Sequence, residues 1–190
     1  MTRTGFFAGS FDPPTLGHMD LVARARRIVD EVVVGVGSNA DKTPWLPVEE
    51  RLALLSALLG PGVRVVAFAG LAVEAARAAG AGVLLRGVRS EADVASELQM
   101  ALANRRLAPE LETVVLVGSP DVAHISSRLV REVHRSGGDV TLFVPAAVAA
   151  RLARQPGPLP APARAPTPTA PTAAPAHAPD RPSRTPERNA

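Results

Sequence analysis

The sequence predicts an α/β fold: a Rossmann-like, doubly wound, parallel five-stranded sheet with helices on both faces. Five short apolar runs rich in β-branched residues and phenylalanine alternate with longer stretches of helical periodicity. Such alternation demands a parallel sheet, because each parallel connection is a crossover that covers one face. Size agrees. Apart from a C-terminal Pro/Ala-rich stretch, the chain offers about 155 residues, one domain able to bury roughly 70% of its unfolded surface.

The elements follow in order. Thr4–Ala8 is the first strand, and Gly17–Val29 the first helix, with Met19, Val22, Ala23 and Ile28 near helical spacing and Thr15 suited to cap it. A valine run, Glu31–Gly37, is the second strand. Pro47, a good first-turn residue, introduces helix Val48–Leu59, with Leu52, Leu55 and Leu59 on one face. Strand Val63–Phe68 leads to the short alanine-rich helix Leu71–Ala79, and strand Gly82–Leu85 to the helix Glu91–Leu107. That helix has Val94, Leu98 and Leu102 in register, acids at its start and Arg105 and Arg106 at its end, as the macrodipole prefers. Strand Thr113–Val117 precedes helix Ser126–Arg135, which stops at Gly137-Gly138. A last apolar run, Val140–Val144, leads into helix Ala146–Arg154.

Composition excludes several classes. There is no cysteine, so neither a disulfide framework nor a thiolate metal site. The four histidines, at 18, 124, 134 and 177, are isolated, without metal-ligand spacing. Of the net charge of +3, the last 35 residues carry four Arg against one Asp and one Glu, so the body is nearly neutral and presents no basic nucleic-acid face. No run of 18 apolar residues exists, and Asp12, Pro13 and Pro14 interrupt any leader-like start. A cytoplasmic protein with no nucleic-acid or membrane partner is expected. It divides into a domain at 1–155 and a tail at 156–190 whose 11 prolines and 9 alanines predict disorder with polyproline II character. Against 20 arginines the chain keeps a single lysine, Lys42; either this is chance, or the position needs a compact point charge rather than a planar fork.

Ligands of open parallel sheets sit beyond the carboxyl ends of the strands, and the chemically loaded residues fall there. After the first strand come Gly9, Ser10, Phe11, Asp12, Pro13, Pro14, Thr15 and, in the first turn of the helix, His18, where free N–H groups and the helix dipole suit a phosphate. A histidine there is either a stabiliser of phosphoryl charge or a solvated first-turn residue. Lys42 follows the second strand. Arg86-Gly87-Val88-Arg89 follows the fourth, two guanidiniums about a glycine. After the fifth, Gly118–Ile125 leads to Ser126-Ser127, which cap a helix and offer hydroxyls and N–H groups to a second phosphate. Two strings mislead. Gly35-Val36-Gly37-Ser38-Asn39-Ala40 matches the dinucleotide fingerprint, but Gly35 lies within a strand pattern and Pro44 and Pro47 stop a helix from opening there. The only lysine follows Asp41, so there is no P-loop.

The series Phe7-Ala8-Gly9-Ser10-Phe11-Asp12-Pro13, Thr15-x-Gly17-His18, Lys42, Glu49-Glu50-Arg51, Leu85-Arg86-Gly87-Val88-Arg89, Asp93, Glu97, Gln99, Asn104-Arg105, Pro109–Glu112, Ile125-Ser126-Ser127 and Val130–Val133 resembles the nucleotidyltransferase superfamily in its bacterial phosphopantetheine adenylyltransferase branch, over residues 3 to 154. The resemblance implies adenylyl transfer from ATP to 4′-phosphopantetheine with Mg²⁺, by direct in-line attack on the α-phosphate, in coenzyme A synthesis. It implies His18, Ser10, Lys42 and Arg89 as the catalytic set, with Ser10 orienting the acceptor phosphate and His18 stabilising the transition state. It assigns Ser10, Lys42, Arg86 and the backbone near Ala72 to phosphopantetheine. It assigns Ser10, Phe11, His18, Gly87, Val88, Arg89, Glu97 and the segment Val122, Ala123, His124, Ile125, Ser126, Ser127 and Arg128 to ATP. It also implies a homo-oligomer, a hexamer.

The chain departs from that family at Val94, Ser96, Val122 and His124, where aromatic residues are usual, at Arg128, where a Ser or Thr is usual, and at Pro14 for an aliphatic residue. These changes bear on adenine packing, assembly and feedback binding of coenzyme A more than on phosphoryl chemistry. One rival is a transferase acting on nicotinate mononucleotide, whose branch usually has a second histidine where Thr15 stands. The other is a nucleotide-binding protein without turnover, against which the retained charged positions speak.

Overall fold

The computed structural model describes residues 2–38 and 43–155. Its strands are β1 (Thr4–Gly9), β2 (Glu31–Ser38), β3 (Arg64–Ala69), β4 (Val83–Val88) and β5 (Glu112–Val117). Its helices are α1 (Leu16–Ala25), α2 (Val48–Leu59), α3 (Ala72–Ala78), α4 (Glu91–Leu107), α5 (Pro120–Ala123), α6 (Ser127–Arg135) and α7 (Ala146–Leu152). The sheet order is β3-β2-β1-β4-β5, and every pairing is parallel, with Phe6 of β1 opposite Val33 of β2 and Leu84 of β4. The expected α/β architecture is present.

Alternation along the strands sorts the core into two faces. Phe7, Val34, Val36 and Leu85 pack with Leu21, Val22 and Ala25 of α1 and Leu55 of α2. Phe6, Ala8, Val33 and Leu84 point the other way, toward Val73 and Ala76 of α3 and Ala108 and Leu111 beyond α4. The chain therefore winds outward from β1 in one direction and, after β3, in the other. The reversal between β1 and β4 opens the crevice in which ligands of such sheets lie. A third cluster, with Leu46, Ile125, Val130, Val144, Val148 and Leu152, seats α6 and α7.

Several boundaries differ from the sequence reading. β4 runs on to Val88, so Arg86, Gly87 and Val88 are the end of the strand and only Arg89 lies beyond it; hydrogen-bonded pairing with β5, Arg86 opposite Val115 and Val88 opposite Val117, extends the strand past its apolar run. α1 ends at Ala25 rather than Val29. A one-turn helix, α5, with Pro120 in its first turn, interrupts the loop expected between Gly118 and Ile125. The last apolar run, residues 140–144, forms turns that lead into α7 and bury Val140 and Val144 in the third cluster. The tail at 156–190, expected to be disordered, lies outside the described residues.

Gly35 explains its own misleading string. A Cβ there would stand 2.2 Å from the Phe6 ring, so the position is glycine because an aromatic side chain from the neighbouring strand fills the space.

Candidate active site

The loop from β1 to α1 is tied down from several sides. Asp12, buried, accepts N–H bonds from Trp45 (2.7 Å) and Leu46 (2.8 Å). The backbone carbonyls of Asp12 and Pro13 accept from Arg131 and from the Ser127 hydroxyl (2.8 Å). Arg51, also buried, donates to the carbonyls of Ser10 (2.6 Å) and Gly37 (3.2 Å), joining the carboxyl ends of β1 and β2. Phe11 takes a positive φ of 49° and is completely buried, with its ring 4.9 Å from that of His18.

His18 sits at the third position of α1 in a capping box with Thr15. The Thr15 hydroxyl accepts from the His18 N–H (3.3 Å), and the Thr15 N–H donates to Nδ1 of His18 (3.1 Å). A ring nitrogen that accepts a hydrogen bond is unprotonated, so the neutral imidazole carries its proton on Nε2. Burial, and then the charge of Arg89, push the His18 pKa down to about 4. Near neutral pH the residue is therefore a neutral Nε2–H donor. The alternative of a solvated first-turn histidine is set aside.

A cleft of about 200 Å³ opens at the β1/β4 switch point, lined by Ser10, His18, Arg86, Gly87, Arg89 and Glu97 together with the end of β1. In sequence these residues come from three segments: the stretch after β1, the end of β4, and α4. Arg86 makes a two-pronged pair with Glu97 (2.6 and 2.7 Å) and donates to the Ala8 carbonyl (2.8 Å), so Glu97 is a partly buried partner rather than a free surface acid. Arg89 is held by Asp93 and by the Ile125 carbonyl. Gly87 gives room to α1: a Cβ there would meet Leu21 at 2.2 Å.

The other expected residues are placed as follows. Val88 is core. Val122 and Ala123 form the end of α5, His124 caps it with its ring edge-on to Phe143, and Ile125 is buried in the third cluster. Ser126 caps α6 by accepting the Leu129 N–H on its Oγ, which leaves its O–H as a donor; the Ser127 hydroxyl instead donates to the Pro13 carbonyl. Arg128 lies on a second, larger cleft of about 1180 Å³ that shares Ser10 with the first and also meets Arg51, Arg131 and Arg135. Ala72 opens α3 against the second core face and lines neither cleft. Lys42 lies outside the described residues, although Ser38 and Thr43, at the two ends of its loop, border the larger cleft.

Asp12, Arg51 and Arg131 were missed as site-builders. Arg51 had a signal, an arginine four residues before Leu55 and so on the apolar face of α2. Asp12 and Arg131 stand in the motif series, but their partners are more than 30 residues away in sequence, so the series does not show what they hold.

Comparison with known proteins agrees with this geometry. Residues 6–133 match the cytidylyltransferase-like family. A phosphopantetheine adenylyltransferase of Clavibacter michiganensis is 52% identical over 159 residues, 80% of this chain and 97% of the relative. One from Beijerinckia indica is 45% identical over 162 residues, covering 82% and 97%. The chain belongs to the phosphopantetheine adenylyltransferase family.

A solved structure of a nicotinate-nucleotide adenylyltransferase, so described as a candidate, from Vibrio parahaemolyticus superposes with a TM-score of 0.55 at 14% identity, covering 80% of this chain and 91% of that one; it shares the fold. Family membership agrees with the resemblance drawn from the motif series. Among the described residues no helix is long and apolar enough to cross a membrane. Nor does any group of three or more His, Asp or Glu among them form a metal cage, and the one acid lining the first cleft, Glu97, is engaged by Arg86.

Proposed function

We propose that this chain transfers the adenylyl group of ATP to 4′-phosphopantetheine, giving dephospho-coenzyme A and pyrophosphate. The observation that carries the reading is the convergence of Ser10, His18, Arg86 and Arg89 on one cleft at the topological switch point. A phosphate oxygen of the acceptor attacks the α-phosphorus as the bond to the bridging oxygen breaks and pyrophosphate leaves. No covalent enzyme intermediate is needed, and the cleft offers donors rather than an activated nucleophile. His18 gives an Nε2–H bond to oxygen charge that grows in the transition state. Arg89 and the amino end of α1 supply positive potential to the triphosphate. Arg86, with Lys42 from its loop, holds the acceptor phosphate, and the segment Val122–Arg128 forms the nucleotide side. Mg²⁺ would enter with ATP and would offset the charge of its phosphates.

We further place the protein in the cytoplasm and propose that it self-associates, as a hexamer. α4 buries little, leaving Val94, Leu98 and Leu102 exposed on it, and Val115 and Val117 of the edge strand β5 are exposed beside them. A stripe of this size suits a second copy of the chain. The decisive experiment is pyrophosphate release from MgATP with 4′-phosphopantetheine as sole acceptor, and with nicotinate mononucleotide as the control. Turnover with the control alone would overturn the assignment. Light scattering tests the assembly: a monomer at micromolar concentration would refute it.

A further inference from the structure

Asp20 stands two residues beyond His18 on α1. Its Oδ2 accepts the Ser119 N–H (2.8 Å), and its Oδ1 accepts the Ser119 hydroxyl (2.6 Å). Arg24, one turn on, donates Nε to the same carboxylate (3.2 Å) and Nη2 to the Ser119 Oγ (2.7 Å). Backbone and hydroxyl of Ser119 are thus both held by α1, across 99 residues of sequence. Burial alone would raise the Asp20 pKa, but the bonds from Ser119 and the guanidinium of Arg24 outweigh it and keep the carboxyl below its ordinary range.

Ser119 caps α5, and the chain then passes over the amino end of α1. A Cβ on Gly17 would stand 3.0 Å from the Ile125 carbonyl oxygen and 3.2 Å from that of Val122. Arg89 takes the Ile125 carbonyl (3.2 Å). The segment is therefore fixed at its start by Asp20 and Arg24 and at its end by Arg89. Between these points its Val122 and Ile125 carbonyls lie against Gly17, the residue before His18, and the segment leads into the amino end of α6.

We infer that Asp20 is a positioning residue for the nucleotide: by clamping Ser119 to the helix that carries His18, it holds segment 119–126 in its ATP-receiving position. This rests on the adenylyl-transfer reading above. Among the described residues, Arg86 of the acceptor side bonds Glu97 and the Ala8 carbonyl and none of Asp20, Arg24 or Ser119. The energetic reason is preorganisation. A segment ordered before binding spares the nucleotide the cost of ordering it.

Calorimetric titration without turnover tests the role, with MgATP and 4′-phosphopantetheine titrated separately. Asp20→Asn and Ser119→Ala each weaken MgATP binding by about tenfold, the order expected for loss of hydrogen bonds to a charged group, and leave acceptor affinity within twofold. Ser119→Thr, which keeps the hydroxyl, restores MgATP affinity. Amide hydrogen exchange across 119–126 speeds up in Asp20→Asn. Unchanged MgATP affinity in Asp20→Asn, or an equal loss for both ligands, overturns the positioning role alone. Failure of the wild-type protein to bind MgATP would defeat the adenylyl-transfer reading and this role with it.

Discussion

Protonation of His18 provides a quantitative test of the site's geometry. The imidazole's ordinary pKa of 6.5 falls to about 4 in the fold, through burial and then Arg89. Above pH 6.5 the ring is neutral in both folded and unfolded chains and contributes nothing to pH dependence. Below 6.5 the unfolded chain takes up a proton that the folded chain refuses, so stability is lost as the pH falls toward 4. At pH 5 the gap spans one and a half units below the unfolded pKa, and at 1.36 kcal/mol per unit the loss is about 2 kcal/mol. For a domain of this size that lowers Tm by about 4–8 °C. Carboxylates held low in the fold, such as Asp20, Glu50 and Glu110, lose their contributions mainly at lower pH, and they do so equally in a His18 variant. The assay is urea unfolding of wild type and His18→Gln at pH 7 and pH 5. The wild type should lose about 2 kcal/mol more than the variant between the two. Parallel pH dependence in both proteins would refute the neutral histidine of the cap. In kinetics, His18→Ala should lower kcat by roughly 10²–10³ with little change in MgATP binding, if the Nε2–H acts on charge that appears only in the transition state; an unaltered kcat would refute that role.

Lys42→Arg should reduce kcat/KM for 4′-phosphopantetheine, because a planar fork does not replace a point charge in a short loop; steady-state kinetics with unchanged kcat/KM would show that the lone lysine is incidental. Gly35→Ala should destabilise the fold by about 1–3 kcal/mol through overpacking against Phe6 while leaving both substrate affinities alone, and denaturant titration beside binding assays would show it. Removal of residues 156–190 should leave Tm and turnover unchanged, since a Pro/Ala-rich stretch lacks the apolar content for a core; a drop of several degrees on truncation would show that the tail supports the domain.

The sequence by itself determined the architecture and much of the site's membership. Strand runs such as the valines of β2, and leucines at helical spacing in α2, report burial through local periodicity, and periodicity survives without knowledge of partners. Ser10, His18, Arg86 and Arg89 were legible for a related reason. In a parallel sheet the residues after each strand must gather at one edge, so position along the chain becomes position in space. Tertiary structure alone decided what each group does there. That His18 is a neutral donor follows from the Thr15 N–H on its Nδ1, its packing against the Phe11 ring and the charge of Arg89. That Glu97 faces a guanidinium rather than solvent follows from α4 lying across the end of β4. Of the two hydroxyls that composition offers to a phosphate, Ser127 gives its proton to Pro13, while Ser126 only accepts in its helix cap and keeps its own. Asp12, Arg51 and Asp20 gain their roles only from partners 14 to 99 residues away. Hydrogen bonds and desolvation depend on distances of a few ångströms between remote segments, and no local pattern of residues encodes those.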